Sequence, residues 1–288
     1  MQRRIMAIFT TLLVAIALIV ALPGSSSAHD GRLLSAKLSG ANEVPSADPD
    51  GSGSATVLLG SDSVCFTLRW AKINAPFAGH IHRGAAGVNG PIVVPFFQKT
   101  PTTPLPASLS SAAGCVGGVD PALISEIRSN PAGFYVNLHT ADFPGGVIRG
   151  QLKVADDVGL HLPTQFHALL LGSNEVPAAD PDGFGLGLVS ARGDRVCFVV
   201  SWANILPPFA GHIHRGAAGV NGPIVVPFFQ STPTDPLPAT FSAVDGCIPG
   251  VDKALIRDIR AHPMAFYVNL HTADFPGGVI RGQLRRGF

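Results

Sequence analysis

The stretch Pro76-Phe-Ala-Gly-His-Ile-His-Arg-Gly-Ala-Ala-Gly-Val-Asn-Gly-Pro-Ile-Val-Val-Pro-Phe-Phe-Gln98 returns without a single change as Pro208 to Gln230. At its centre stands His80-Ile81-His82, repeated as His212-Ile213-His214. On a β-strand, side chains two residues apart point to the same face. Both imidazoles of each pair therefore share a face, and the isoleucine between them turns to the other. A second block, Phe134-Tyr-Val-Asn-Leu-His-Thr-Ala-Asp-Phe-Pro-Gly-Gly-Val-Ile-Arg-Gly-Gln-Leu152, recurs as Phe266 to Leu284 and contributes His139 and His271. The shared features keep a constant offset of 132 positions (212 − 80), including Cys65 with Cys197 and Trp70 with Trp202. Solenoid repeats run only about 20–50 residues, so this period is the tandem duplication of a whole domain. The expected domains are residues 30–155 and 159–288, joined by the short polar segment Asp156-Asp-Val-Gly159, which keeps them close.

The composition suits packed β-domains. Of 288 residues, 46% are hydrophobic, enough to bury a core and argue against disorder. The 33 Gly and 25 Pro fit many strands joined by turns. A formal net charge of +1, with 14% charged residues, gives no footprint for nucleic acid.

The N-terminus reads as an export signal over residues 1–28. Arg3 and Arg4 precede an uncharged apolar run, and Ser26-Ser27-Ala28 offers a small-x-small cleavage site. An uncleaved anchor is the alternative, because the run is longer than most signal cores. Membrane contact is expected only through this segment, and the expected location is secreted or cell-surface. Cleavage after Ala28 would make His29 the first residue, whose amine and ring together suit copper. Its counterpart His161 is internal, and His167 and His262 have none in the first copy.

Cysteine usage agrees with export. Cys65 and Cys115 stand 50 apart, as do Cys197 and Cys247 (247 − 197). An even count, two per repeat and with no CxxC pair, predicts one disulfide within each domain in an oxidising compartment.

Within the first copy, residues 33–38, 55–59 and 64–70 read as strands, followed by the His-Ile-His strand and Pro91-Ile-Val-Val-Pro95. Proline at both ends of that last run predicts an edge or barrel-rim strand. Residues 99–111 read as a Pro/Thr/Ser-rich loop. A helix is predicted after Asp120, with Asp120 as N-cap, Pro121 in the first turn and Leu123, Ile124 and Ile127 on one apolar face. Residues 134–139 and 147–152 complete seven or eight short strands per copy. The predicted fold is mainly β, two tandem antiparallel sandwich or barrel domains, each with one short helix.

Asn42-Glu43-Val44-Pro45, Gly79-His-Ile-His-Arg-Gly84, Asn89-Gly-Pro91 and Tyr135-Val-Asn-Leu-His139 with Gly146-Val-Ile-Arg-Gly150 together resemble the CHRD domain, over nearly all of both repeats. The module is named after chordin and also occurs in exported bacterial proteins. The resemblance implies a secreted, immunoglobulin-like β-fold and little about chemistry. In chordin the module belongs to an extracellular antagonist of growth factors. The cysteine-rich modules that accompany it there are missing here, so that role does not carry over.

Two functions follow as expectations. One is a binding or structural module whose partner is an unknown extracellular protein or cell-surface component. The other is a copper or zinc site in each domain, formed by His80, His82 and His139 and by His212, His214 and His271. Neutral imidazole suits both metals, and three ligands leave a position open. Alternatively, these histidines only brace the sheet and its loops. Convergence of the ring nitrogens to within about 3–4 Å would separate the two, given metal–nitrogen bonds of about 2.0–2.1 Å. Asp142 and Asp274 either orient a ligand imidazole or cap the turn after it. Arg83 and Arg149, with Arg215 and Arg281, either hold an anion or pair with Glu43 and Glu175 to pin a loop. Asn89-Gly90 and Asn221-Gly222 read as turns with positive φ. There is no GxSxG, P-loop, HExxH or GxGxxG opening a helix, and no catalytic set is expected.

Overall fold

A computed structural model describes residues 32–155 and 165–287. The export signal, His29, His161 and the expected joint lie outside the described residues. The first copy runs β1 (Arg32–Ser39), β2 (Ser52–Leu59), β3 (Ser63–Ala71), β4 (Ala78–Arg83), β5 (Ile92–Gln98), β6 (Leu109–Gly117), α1 (Pro121–Ser129), β7 (Phe134–His139), β8 (Ile148–Gln151) and β9 (Lys153–Val154). The second repeats it: β10 (Phe166–Leu171), β11 (Phe184–Arg192), β12 (Arg195–Ala203), β13 (Ala210–Arg215), β14 (Ile224–Gln230), β15 (Phe241–Ile248), α2 (Lys253–Ala261), β16 (Phe266–His271), β17 (Ile280–Gln283) and β18 (Arg285–Arg286).

Every ladder is antiparallel. In the first copy the strands lie side by side as β5-β4-β7-β8-β1-β2-β3-β6, with β9 continuing β8 along β1. The run folds over one core, which buries Leu34, Val57, Leu68, Ile81, Val136 and Ile148 completely. Among the described residues β5 forms a ladder only with β4, the edge position predicted for it, although it runs on through Pro95 to Gln98. The helix forms as expected: the Asp120 carboxylate accepts the Ala122 N–H at 2.9 Å, and Ile124 and Ile127 are buried.

The sequence reading of residues 99–111 is corrected in part. Strand β6 begins at Leu109 and carries Cys115, and with the short β9 this gives nine strands per copy among the described residues. Its residues, Leu-Ser-Ser-Ala-Ala-Gly-Cys-Val-Gly, are small and poor in β-propensity. They form a strand because both flanks are paired. On one side β6 pairs with β3, which sets Cys65 opposite Cys115 for a disulfide with Cα atoms 3.9 Å apart. The same register joins Cys197 to Cys247 across β12 and β15.

The other flank of β6 pairs with β15 of the second copy. The two sheets are thus continuous across a seam between the repeats. Gly114 permits the close approach: a Cβ there would lie 1.7 Å from the Thr240 carbonyl oxygen, while the Cys115 N–H donates to that same oxygen at 3.0 Å. Phe241 crosses over to meet Phe66 and Phe97 edge-on, at 6.1 and 5.3 Å between ring centres. Asp245 accepts from Ser110 at 2.8 Å and pairs with Arg69 at 3.0 Å, and Lys99, its side chain largely covered, reaches Asp235.

Candidate metal centre

The sheet β4-β7-β8 has one apolar face and one polar face. Ile81, Val136 and Ile148 point into the core. The alternation then sends His80, His82, Tyr135, Asn137, His139, Arg149 and Gln151 to the opposite side. In register, His80 faces Asn137, His82 faces Tyr135 and Ala78 faces His139. The ladder between β4 and β5 slips twice, between Gly79 and His80 and between Ile81 and His82. Such irregularities re-aim side chains beside a site.

This face is not open to solvent. His80, His82 and His139 are 3%, 9% and 7% exposed, values the second copy matches closely. Their ligand nitrogens all lie within 4.8 Å of one another, and the same holds for His212, His214 and His271. His80 Nδ1 is 3.2 Å from His139 Nε2, as His212 Nδ1 is from His271 Nε2.

The hydrogen-bond partners assign the protons. His82 Nδ1 donates to the Gly90 carbonyl at 2.8 Å, and His139 Nδ1 donates to the Pro144 carbonyl at 3.0 Å. His80 Nε2 meets Gln98 Oε1 at 2.9 Å; the Gln98 amide nitrogen donates to the Lys99 carbonyl, which fixes the amide's orientation. A neutral imidazole carries one N–H. With each outer nitrogen committed as donor, the inner nitrogens are lone pairs. Two of them face each other at 3.2 Å. The third, His82 Nε2, is buried without a protein partner, and so is His214 Nε2.

Burial also keeps the rings neutral. It lowers the pKa of all six histidines, His80 and His212 to about 4, with the neighbouring imidazoles adding to the effect at both. Converging lone pairs on neutral rings repel, and a cation between them removes the repulsion. The nitrogens on a tetrahedral metal with bonds of about 2.0–2.1 Å stand about 3.3 Å apart. The His80–His139 edge already has that length, whereas the set as a whole lies only within 4.8 Å, wider than the 3–4 Å expected of fully converged rings. Backbone carbonyls and an amide on the outer nitrogens are the supports that metal-bound imidazoles usually have.

Beside the histidines, a polar clamp holds the covering loops. Arg149 is buried; its Nε donates to the Asn42 carbonyl at 2.6 Å and its Nη1 to Asn89 Oδ1 at 2.8 Å. It lies 3.9 Å from Glu43, whose Oε1 accepts from Asn137 at 2.8 Å. Burial raises the Glu43 and Glu175 carboxyls to about 7, against the opposing pull of Arg149 and Arg281. The Arg149 guanidinium also covers the Tyr135 ring at 4.6 Å, and Tyr135 stacks on His82 at 4.8 Å. The clamp therefore braces the histidine face through Tyr135.

Several expectations need adjustment here. Arg149 does pair with Glu43, but Arg83 pairs with Glu126 and Arg215 with Asp258. Asp142 hydrogen-bonds Asn74 and Asp274 accepts from Thr272 at 2.5 Å, so the supports recorded on His139 and His271 are backbone carbonyls instead. Among the described residues the positive φ of that turn falls on Gly87 and Gly219, not on the Asn-Gly pairs. Asn89 instead bridges Arg149 to the Val44 carbonyl, and Gly90 is required because a Cβ would meet the Arg83 carbonyl at 1.6 Å. Gln98, Gln230, Tyr135 and Tyr267 were not singled out by sequence reasoning. Their one signal is that they lie within the unchanged blocks.

The family model described as CHRD domain matches residues 34–152 and again 166–284. No curated protein matches the chain.

Proposed function

We propose a metal-binding role for this chain, which belongs to the CHRD-domain family through two tandem copies. In this reading it is exported and holds copper or zinc at His80, His82 and His139 and at His212, His214 and His271. One observation carries it: in both copies three buried imidazoles turn lone pairs toward a common point while their outer nitrogens are tied to oxygen acceptors. A set made only of neutral imidazoles suits either metal. Bound there, the ion would supply a Lewis-acidic centre, or with copper a redox-active one, with a position left open. The chain's own part is to orient the rings through Gln98, Gly90 and Pro144 and to exclude water from them.

Export is supported by the pairing of all four cysteines. No helix among the described residues is long and apolar enough to cross a membrane. A second reading, a binding or structural module for an extracellular protein or cell-surface component, is favoured by the tandem family matches. The test is metal content of the protein purified without an affinity His tag, beside the double variant His80→Ala/His212→Ala. About two equivalents in the wild type, lost in the variant, support two sites. A metal-free wild type that takes up neither copper nor zinc on titration rules the metal reading out and leaves the second one standing.

A further inference from the structure

A cavity of about 680 Å³ opens on the second domain at its polar clamp, between the outer face of β10 and the loops at residues 172–176 and 218–219. Its size lies within the roughly 300–1,000 Å³ of small-molecule sites. Leu169, Leu171 and Val176 give it apolar walls, and Leu169 is 58% exposed. Arg281 and Glu175 line its inner side, 1% and 7% exposed, and Arg285 stands at its rim. Arg281 donates through Nε to the Asn174 carbonyl and through Nη1 to Asn221, but Nη2 is buried without a protein partner, as is Glu175 Oε1. A buried guanidinium N–H left unpaired costs free energy that an acceptor would recover.

The first domain repeats the clamp with Arg149 and Glu43, and Val44 stands where the second has Val176, but the leucine wall is missing. Ser35, Lys37 and Ser39 occupy the positions of His167, Leu169 and Leu171. The leucine wall is thus particular to the second copy, although the histidine face is common to both. We propose that this cavity binds a small amphipathic anion, a carboxylate-headed molecule with a short apolar chain. Its head lies toward Arg281 and Arg285, and its chain packs along Leu169, Leu171 and Val176. None of these contacts requires a metal at the histidines.

Calorimetric titration of the whole protein with octanoate tests this, with the uncharged octanamide as control. Octanoate should bind with a stoichiometry of about one per chain, because only the second domain has the leucine wall. Leu169→Lys, which installs the residue of the first copy at an exposed position, should weaken binding by about tenfold or more through loss of apolar contact. Arg285→Gln should weaken it several-fold and flatten its salt dependence. Failure of octanoate to bind, equal binding of octanamide, or full affinity in Leu169→Lys would each overturn the proposal. So would co-sedimentation with phosphatidylglycerol vesicles by a protein that ignores octanoate, since the anion would then be a membrane lipid. Metal content, measured on the same samples, reports separately on the histidine centres.

Discussion

The two histidine faces and the two flanks that meet at the seam share one ancestry of sequence, yet they differ in how faithfully they repeat. Around His80 and His212, contacts agree to within about 0.1 Å: 2.9 and 3.0 Å to the glutamine, 2.8 and 2.9 Å to the glycine carbonyl, 3.2 Å between imidazoles in both. At the seam the partners are unlike. Asp245 takes the place of Ala113, Phe241 that of Leu109, and Lys99 that of Ser231. Residues that answer to a shared chemistry are the same in both copies. Residues that answer to each other across a junction differ, because one side must supply the acid and the other the base.

The comparison can be broken at its strongest point by removing one face alone. His212→Ala should abolish metal uptake in the second domain and leave the first, so that total metal falls by half, read by elemental analysis. Equal loss from both domains would mean that the two faces are not independent.

At the seam, Gly114→Val should destabilise the protein by about 3 kcal/mol, because its Cβ would overlap the Thr240 carbonyl oxygen. Gly145→Ala, where a Cβ meets nothing within 4 Å, is the matched control. Denaturant midpoints compare the two. Similar midpoints would show that the seam contributes little.

A pH titration sharpens the same contrast. Depressed histidine pKa values mean that the unfolded chain binds more protons than the folded one between the ordinary value of 6.5 and about 4. Stability of the metal-free protein should therefore fall as pH drops through that window. Glu43 and Glu175, raised from 4.5 to about 7, oppose this by taking up protons on folding, but they are two groups against six. Chemical denaturation at pH 7 and pH 4.5 gives the sign, and a flat or inverted profile would contradict the buried, neutral rings. The smallest effect is expected at the seam's ion pair. Asp245→Asn should cost less than about 1 kcal/mol, because Arg69 is 44% exposed and screened by water.

Much of this was legible in the sequence because it rests on short-range rules. The His-x-His spacing placed two rings on one face, the Asp-Pro start located the helix, and equal cysteine spacing predicted the bridges. What stayed hidden depends on partners far along the chain. β6 is a strand of small residues held by neighbours on both sides, one of them in the other repeat, and no local pattern reveals that. Gln98 reaches His80 from an adjacent strand, and Asn89 looks like any turn asparagine until Arg149 is set beside it. The third histidine, far from the His-x-His pair, was the exception, visible because its whole block recurs unchanged.

The pairing of β6 with β15 has a further consequence. These are equivalent strands, and Gly114 opposite Phe241 is matched by Leu109 opposite Gly246, as a two-fold axis would require. The geometry is that of a self-complementary homodimer contact, made here inside one polypeptide. Association of the halves is then unimolecular and indifferent to dilution. That linkage keeps both faces in one particle at concentrations where separate subunits would drift apart.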